Sequence, residues 1–212
     1  MARVVFSNLI KNENDIEIMT NNLKVALIGC GRIAGHHCQS ITATEGVSIA
    51  AVCDLDAEKA NAYGEQFDVP AFQDYRQMFE AVPDIDIAAI ITPSGMHLEH
   101  TLEIINDFGK HAIVEKPTFM RPGQMETAFE CAKKAEKRIF PVFQNRYNKA
   151  VSRVRQAFQT GELGDIRTVS VKLRWCRPQR YYDMASWRGT FSHDGGALTN
   201  QTIHHVDLLR HL

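Results

Sequence analysis

Lys24-Val25-Ala26-Leu27-Ile28-Gly29-Cys30-Gly31-Arg32-Ile33-Ala34 decides the fold. The apolar run Lys24–Gly29 ends in glycine and reads as a buried strand, and a helix is expected over Ile33–Thr44. Between them stands G-x-G-x-x-A. The first glycine permits a tight turn, the second lets the backbone approach a pyrophosphate, and the small Ala34 lets helix pack closely on strand. N–H groups at the start of the helix would then meet the phosphates around Gly31, Arg32 and Ile33. The next β-rich run is Val47–Cys53, and Asp54 ends it at roughly the 20-residue distance where such folds place an acid for the ribose 2′-hydroxyl. A carboxylate there would repel a 2′-phosphate, which favours NAD over NADP; Arg32 beside the phosphates is a counter-signal. The competing interpretation is a structural turn with Asp54 as a helix cap.

Outward from this stretch, helices are expected over Ala57–Gln66, Asp74–Ala81, His97–Phe108 and Pro122–Arg138, with strands at Ile85–Ile91, His111–Val114 and Ile139–Phe143. Leu98, Leu102, Ile105 and Phe108 recur at helical spacing. Strands alternating with helices predict an α/β fold, a doubly wound parallel Rossmann sheet over residues 23–145. The pattern changes near Asn145. Lys149–Thr160 reads as a helix, and Ile166–Trp175 alternates, with Val169, Val171, Leu173 and Trp175 on one side and Ser170, Lys172 and Arg174 on the other. That is the pattern of a half-buried strand in an antiparallel sheet. Arg177–Asp194 reads as irregular, and Gly195–Leu212 as a helix. One alternating strand and two helices do not make an independent open-faced sheet domain, so residues 146–212 are expected to be the beginning of an α+β domain, cut short at Leu212. Residues 1–22 read as an extension outside the core, with Met19 a candidate start.

The chain has 212 residues, 24 Lys+Arg against 25 Asp+Glu, and a net charge of −1. That balance argues against a nucleic-acid binder, which usually carries a basic excess. No apolar run approaches the roughly 18 residues of a membrane span, and the amino terminus makes a poor signal peptide. Five cysteines, an odd count without C-x-x-C spacing, indicate neither a zinc ribbon nor a disulfide framework, so a reducing cytoplasm is expected.

Four further clusters carry chemistry. Thr92-Pro93-Ser94-Gly95-Met96-His97 lies at a strand's carboxyl end, where ligands bind in open α/β sheets; the plain alternative is a turn capped by Ser94. Glu115-Lys116-Pro117 also ends a strand. Proline forces its predecessor into an extended conformation, which would aim the Lys116 ammonium toward the crevice, to donate to a substrate oxygen; the alternative is a solvated lysine. On the last helix Asn200, His204, Asp207 and His211 share one stripe. Histidine suits proton transfer near neutrality; a wet helix face and a metal site at His204, Asp207 and His211 are the other interpretations, and no metal is expected. Finally, Arg174, Arg177, Arg180 and Arg188 interleave with Trp175, Tyr181, Tyr182 and Trp187. Guanidinium groups suit phosphates and rings stack on bases and sugars, which fits a nucleotide-sugar substrate or, equally, a protein interface.

In this order VALIGCGRIAGHH, AVCDLD, TPSGMHLEH, VEKP, GELGDI and DGGALTNQTIHHVDLL resemble the Gfo/Idh/MocA oxidoreductase family, from residue 24 to the last. The resemblance implies a Rossmann domain followed by an α/β domain on an open, mainly antiparallel sheet that mediates homo-oligomer formation. It implies Lys116 and His204 as catalytic, with Gly29, Gly31, Arg32, Ile33, Asp54, Thr92, Pro93, His97, Glu115 and Lys116 at the cofactor. Many members carry Asp four residues before the late histidine; here stands Asn200, which holds no negative charge. Asn200-Gln201-Thr202-Ile203-His204 with Trp187-Arg188-Gly189 resembles the branch acting on UDP-N-acetylhexosamines and uronates, and puts Arg188, Asn200 and His204 at the substrate. The expected reaction moves a hydride from a secondary hydroxyl of a sugar, polyol or nucleotide-sugar to NAD. Alternatives are an NAD-dependent glycosidase of the same family and a non-catalytic NAD-binding regulator. If 212 residues are the whole polypeptide, NAD binding with little turnover and self-association is expected.

Overall fold

A run that is apolar on both sides must be covered on both faces, and this requirement organises the first part of the chain. The computed structural model describes residues 22–212; the expected extension, apart from Asn22, and the candidate start at Met19 lie outside the described residues. The elements run β1 (Leu23–Ile28), α1 (Ala34–Thr42), β2 (Val47–Cys53), α2 (Ala57–Phe67), β3 (Ala71–Phe72), α3 (Tyr75–Ala81), β4 (Ile87–Ile90), α4 (His97–Asn106), β5 (His111–Val114), α5 (Pro122–Lys134) and β6 (Ile139–Pro141). The strands form one sheet in the order β3-β2-β1-β4-β5-β6, all neighbours parallel. This is the doubly wound order, in which the direction of winding reverses beside β1. Alternation along each strand splits the core in two. Ala26, Ile28, Ala88, Ile90, Ala112 and Val114 pack on one face; Val25, Leu27, Ile87, Ala89 and Ile113 pack on the other.

The expected α/β architecture is present, with shifted element ends. The strand anticipated over Ile85–Ile91 is shorter, although Ile85 is buried and Asp86 holds the Lys24 N–H at 2.8 Å. The helix expected to reach Phe108 stops at Asn106, and the one expected to reach Arg138 stops at Lys134, where the chain turns back toward β6. β3 was not foreseen: two residues hold no periodicity, and its place comes from pairing with Val52 and Cys53.

The chain divides into two compact units between Val142 and Phe143. Within the second lie a 3₁₀ turn (Gln144–Tyr147), α6 (Lys149–Gln159), α7 (Gln179–Asp183), α8 (Phe191–Asp194), a π-helical turn (Ala197–Thr202) and α9 (Ile203–His211). Arg146 ties the 3₁₀ turn to α9 by its Nε–H to Asp207 Oδ2 at 2.7 Å, and Arg155 ties α6 to α9 through His211 at 2.8 Å. Three expectations are corrected here. Arg177–Asp194, read as irregular, contains α7 and α8; and the helix expected from Gly195 begins as the π turn and becomes α-helical at Ile203. Ile166–Trp175, expected as a half-buried strand, forms no strand, and Val169, Val171, Leu173 and Trp175 are exposed. A strand is stabilised through its cross-strand partners, and among the described residues of this unit no strand is present to supply them.

Candidate functional site

Parallel register brings the carboxyl ends of four strands to one level. Ile28 pairs with both Cys53 and Ile90, and Ile90 pairs with Val114. The residues that follow, Gly29, Asp54, Ile91 and Glu115, therefore leave the sheet side by side. Main-chain bonds continue the ladder one step: Gly29 N–H to the Cys53 carbonyl and Ile91 N–H to the Ile28 carbonyl at 2.8 Å, and Glu115 N–H to the Ile90 carbonyl at 3.1 Å.

Gly29 turns the chain at φ +105°, and a Cβ there would lie 2.9 Å from the Ile91 carbonyl carbon and oxygen. Only glycine fits that combination of left-handed backbone and close approach. At Gly31 a Cβ would meet nothing within 4 Å, so the turn faces open space. The helix that follows starts at Ala34 with no side-chain cap, which leaves N-terminal N–H groups for an anion. Asp54 braces this turn: Oδ2 accepts the Cys30 N–H at 2.7 Å and Oδ1 the Asp56 N–H at 2.9 Å. The cap of α2 is Asp56, whose side chain accepts from Glu58 and Lys59, so Asp54 is not the helix cap that the competing interpretation required. Each Asp54 oxygen keeps lone-pair capacity for a ribose hydroxyl. Cys30 does not add charge: burial, then the nearby Asp54, Cys38 and Cys53, push its thiol up to about 12, so it stays protonated beside an incoming phosphate.

Thr92 and Pro93 follow β4 after Ile91, and the Thr92 nitrogen lies 3.2 Å from the same hypothetical Gly29 Cβ. Thr92 Oγ1 pairs with His100 Nδ1 at 2.9 Å. Ser94 is buried but provides no side-chain cap. His97 is almost wholly buried, with Nε2 and Nδ1 each 2.9 Å from a carbonyl oxygen, those of Thr92 and Pro117. Burial holds its pKa below the ordinary histidine value, against the pull of those carbonyls and of Glu115; a neutral ring donates to one of the two. His97 therefore packs between the Thr92 turn and the segment after β5 and hydrogen-bonds one of them.

Glu115 is buried, and its Oε1 lies 2.9 Å from His37 Nε2 while Oε2 accepts the Lys116 N–H at 2.9 Å. Burial alone would raise this carboxyl; the His37 contact and charge, then Lys116, outweigh it and hold the pKa below the usual range. The Lys116–Pro117 peptide is cis, a feature not foreseen in the sequence. His37 and His100 were also missed. A signal for His37 existed: Ala34, Cys38 and Ile41 mark the buried face of α1, and His37, three residues after Ala34, borders that face.

In the second unit Asn200 and His204 are buried together on the π turn and α9, and the Phe143 ring stands edge-on to His204 at 6.2 Å. The rest of the anticipated stripe is taken up by arginines, Asp207 by Arg146 and His211 by Arg155. Among the described residues no group of three His, Cys, Asp or Glu could hold a metal ion. The arginine–aromatic cluster is largely self-contained: Arg177 lies over Trp175 at 3.8 Å and donates to Gln201 Oε1, and Arg188 lies over Tyr181 at 4.5 Å. The buried Arg188 Nε finds no partner among the described residues.

Comparison with known proteins shows the family. The family model described as "Oxidoreductase family, NAD-binding Rossmann fold" matches residues 23–143, and the "GFO/IDH/MocA C-terminal domain" matches residues 151–212. The chain belongs to the Gfo/Idh/MocA oxidoreductase family. It is 29% identical over 192 residues to D-glucoside 3-dehydrogenase of Escherichia coli (strain K12), an alignment covering 87% of this chain and 52% of that protein. Among solved structures it is similar to the WlbA dehydrogenase from Bordetella pertussis in complex with NADH and UDP-GlcNAcA, with 34% identity, TM-score 0.83, and coverage of 89% of this chain and 59% of that one. The Chromobacterium violaceum WlbA complex with the same two ligands gives 37% identity, TM-score 0.83, and coverage of 91% and 55%. The chain thus spans about half the length of the curated relatives it matches. Among the described residues no helix is long and apolar enough to cross a membrane.

Proposed function

We propose that the protein is an NAD-dependent dehydrogenase acting on a secondary hydroxyl of a sugar, with a nucleotide-sugar such as a UDP-N-acetylhexosamine or its uronate as the substrate class. The carrying observation is the Asp54 carboxylate fixed beside the glycine turn by the Cys30 N–H. There it would accept from a ribose 2′-hydroxyl and repel a 2′-phosphate, so NAD is preferred to NADP. Gly29, Gly31, Arg32 and Ile33 would hold the pyrophosphate, Thr92, Pro93 and His97 would border the dinucleotide, and Glu115 would set the backbone beside it. The bound dinucleotide supplies the hydride acceptor. Lys116 donates to the substrate oxygen and stabilises the alkoxide as it forms; His204 takes the hydroxyl proton; the carbon gives up its hydride and becomes a carbonyl. Arg188, through its unpartnered buried Nε, and Asn200 would bind the substrate. Similarity to two WlbA dehydrogenases solved with UDP-GlcNAcA supports this substrate class. The five free thiols support a reducing, cytoplasmic setting, and the match to the family's carboxy-terminal domain supports a homo-oligomer through that domain.

The test is NADH formation with UDP-sugars and free polyols. Lys116→Ala and His204→Ala should each lower turnover by about 10²–10⁴-fold, with NAD binding retained. Turnover near wild type in either variant rejects its assigned role. Net accumulation of NADH separates this reading from a glycosidase that oxidises and re-reduces the same sugar.

A further inference from the structure

The proposed dinucleotide turn and the proposed catalytic lysine belong to segments far apart in sequence, and one buried pair joins them. His37 lies on α1 one helical turn beyond Ile33, with its N–H directed to the Ile33 carbonyl at 3.4 Å. Its Nε2 lies 2.9 Å from Glu115 Oε1, with side-chain exposures of only 13% and 10%. The other Glu115 oxygen takes the backbone N–H of Lys116 at 2.9 Å. Beyond it, the Pro117 and Thr92 carbonyl oxygens each lie 2.9 Å from the His97 ring, which donates to one of them. We propose that His37 is a positioning residue: through Glu115 it fixes the Lys116 backbone to the helix that begins the dinucleotide turn, so that occupation of the turn and placement of the lysine are one event. This rests on the dinucleotide reading above and adds to it a residue for the coupling.

The physical argument is one of geometry and desolvation. A buried carboxylate without its partner is strongly unfavourable, so Glu115 keeps hold of His37, and its two oxygens cannot follow α1 and the Lys116 segment independently. An anion seated at the start of α1 stiffens that helix. The stiffening reaches Lys116 N–H through two hydrogen bonds. A pair that served only stability would leave no such link: its loss would lower the unfolding temperature and nothing else.

Hydrogen exchange read by mass spectrometry on peptides covering 112–120, with and without NAD⁺, tests this without requiring turnover. Calorimetry on the same samples gives dinucleotide affinity. In the wild-type chain NAD⁺ should slow exchange at Lys116 by about fivefold or more, the lower end of ordinary site-to-site coupling. His37→Leu should abolish that slowing while the Kd for NAD⁺ changes by less than about threefold. His37→Gln, whose amide N–H reaches the place of Nε2, should restore it. If His37→Leu does not fold, His37→Phe, a ring of similar size without donor or acceptor, replaces it and should lose the slowing. NAD⁺-dependent slowing that persists at wild-type size in His37→Leu or His37→Phe overturns the coupling and leaves the dinucleotide site standing. Failure of the wild-type chain to bind NAD⁺ overturns the dinucleotide reading and the coupling with it.

Discussion

The two units treat apolar side chains in opposite ways. In the first, Val25, Leu27, Val52, Ala88 and Ile104 have no accessible surface, and two clusters cover both faces of the sheet. In the second, only Ala157 and Tyr181 among the described apolar residues are buried, while Val169, Val171 and Trp175 stand about half exposed. The polar groups follow suit. The first unit fixes its site through buried hydrogen bonds at strand ends, and the second fixes α9 through the Arg146–Asp207 and Arg155–His211 contacts. A parallel sheet carries its own partners, so local pattern and burial agree; a lone alternating segment carries a pattern without the partner that would bury it.

The largest effect should come from the tightest point of the first unit. Gly29→Val adds a Cβ at 2.9 Å from the Ile91 carbonyl and forces a β-branched residue to φ +105°. A loss of at least about 3 kcal/mol in denaturant unfolding is expected, because backbone strain and steric displacement add. A variant as stable as wild type would show that the turn does not press on β4.

The same substitution in both units sharpens the contrast. Val52→Ala empties buried volume and should cost about 2 kcal/mol. Val171→Ala, at 47% exposure, should stay within about 0.5 kcal/mol. A large cost at Val171, measured by chemical denaturation at several protein concentrations, would mean that another surface covers it.

Titration tests the first unit next. Burial lowers the pKa of His97, His100 and His111, all in the first unit. Each is neutral when folded and binds a proton when unfolded near its ordinary value of about 6.5. Their contribution is therefore full above that pH and lost as pH falls below it, by up to about 1.4 kcal/mol per pH unit for each proton. Glu115, held low, should lose its contribution only below about pH 4.3. The thermal midpoint of the first unit should fall between roughly pH 6.5 and 5; a flat midpoint there breaks the assignment of three neutral histidines.

Much of the first unit is legible because its signals are local. An apolar run closed by glycine, and an acid at the end of the next strand, report β1, α1, β2 and the Asp54 position directly. The two-residue β3 is not legible, since its existence depends on Val52 and Cys53 across the sheet. Nor is the His37–Glu115 pair, which spans 78 residues of chain. The Ile166–Trp175 pattern is true to a strand, yet a strand forms only where another chain segment lies beside it.

The most direct test of the account is calorimetric titration of the chain with NAD⁺ and NADP⁺, wild type against Asp54→Asn. The account predicts NAD⁺ binding at least about tenfold tighter than NADP⁺, some 1.4 kcal/mol, and a gap that closes toward unity in Asp54→Asn, which keeps an acceptor for the Cys30 N–H. Binding of neither dinucleotide, or tighter binding of NADP⁺ to the wild-type chain, would contradict it.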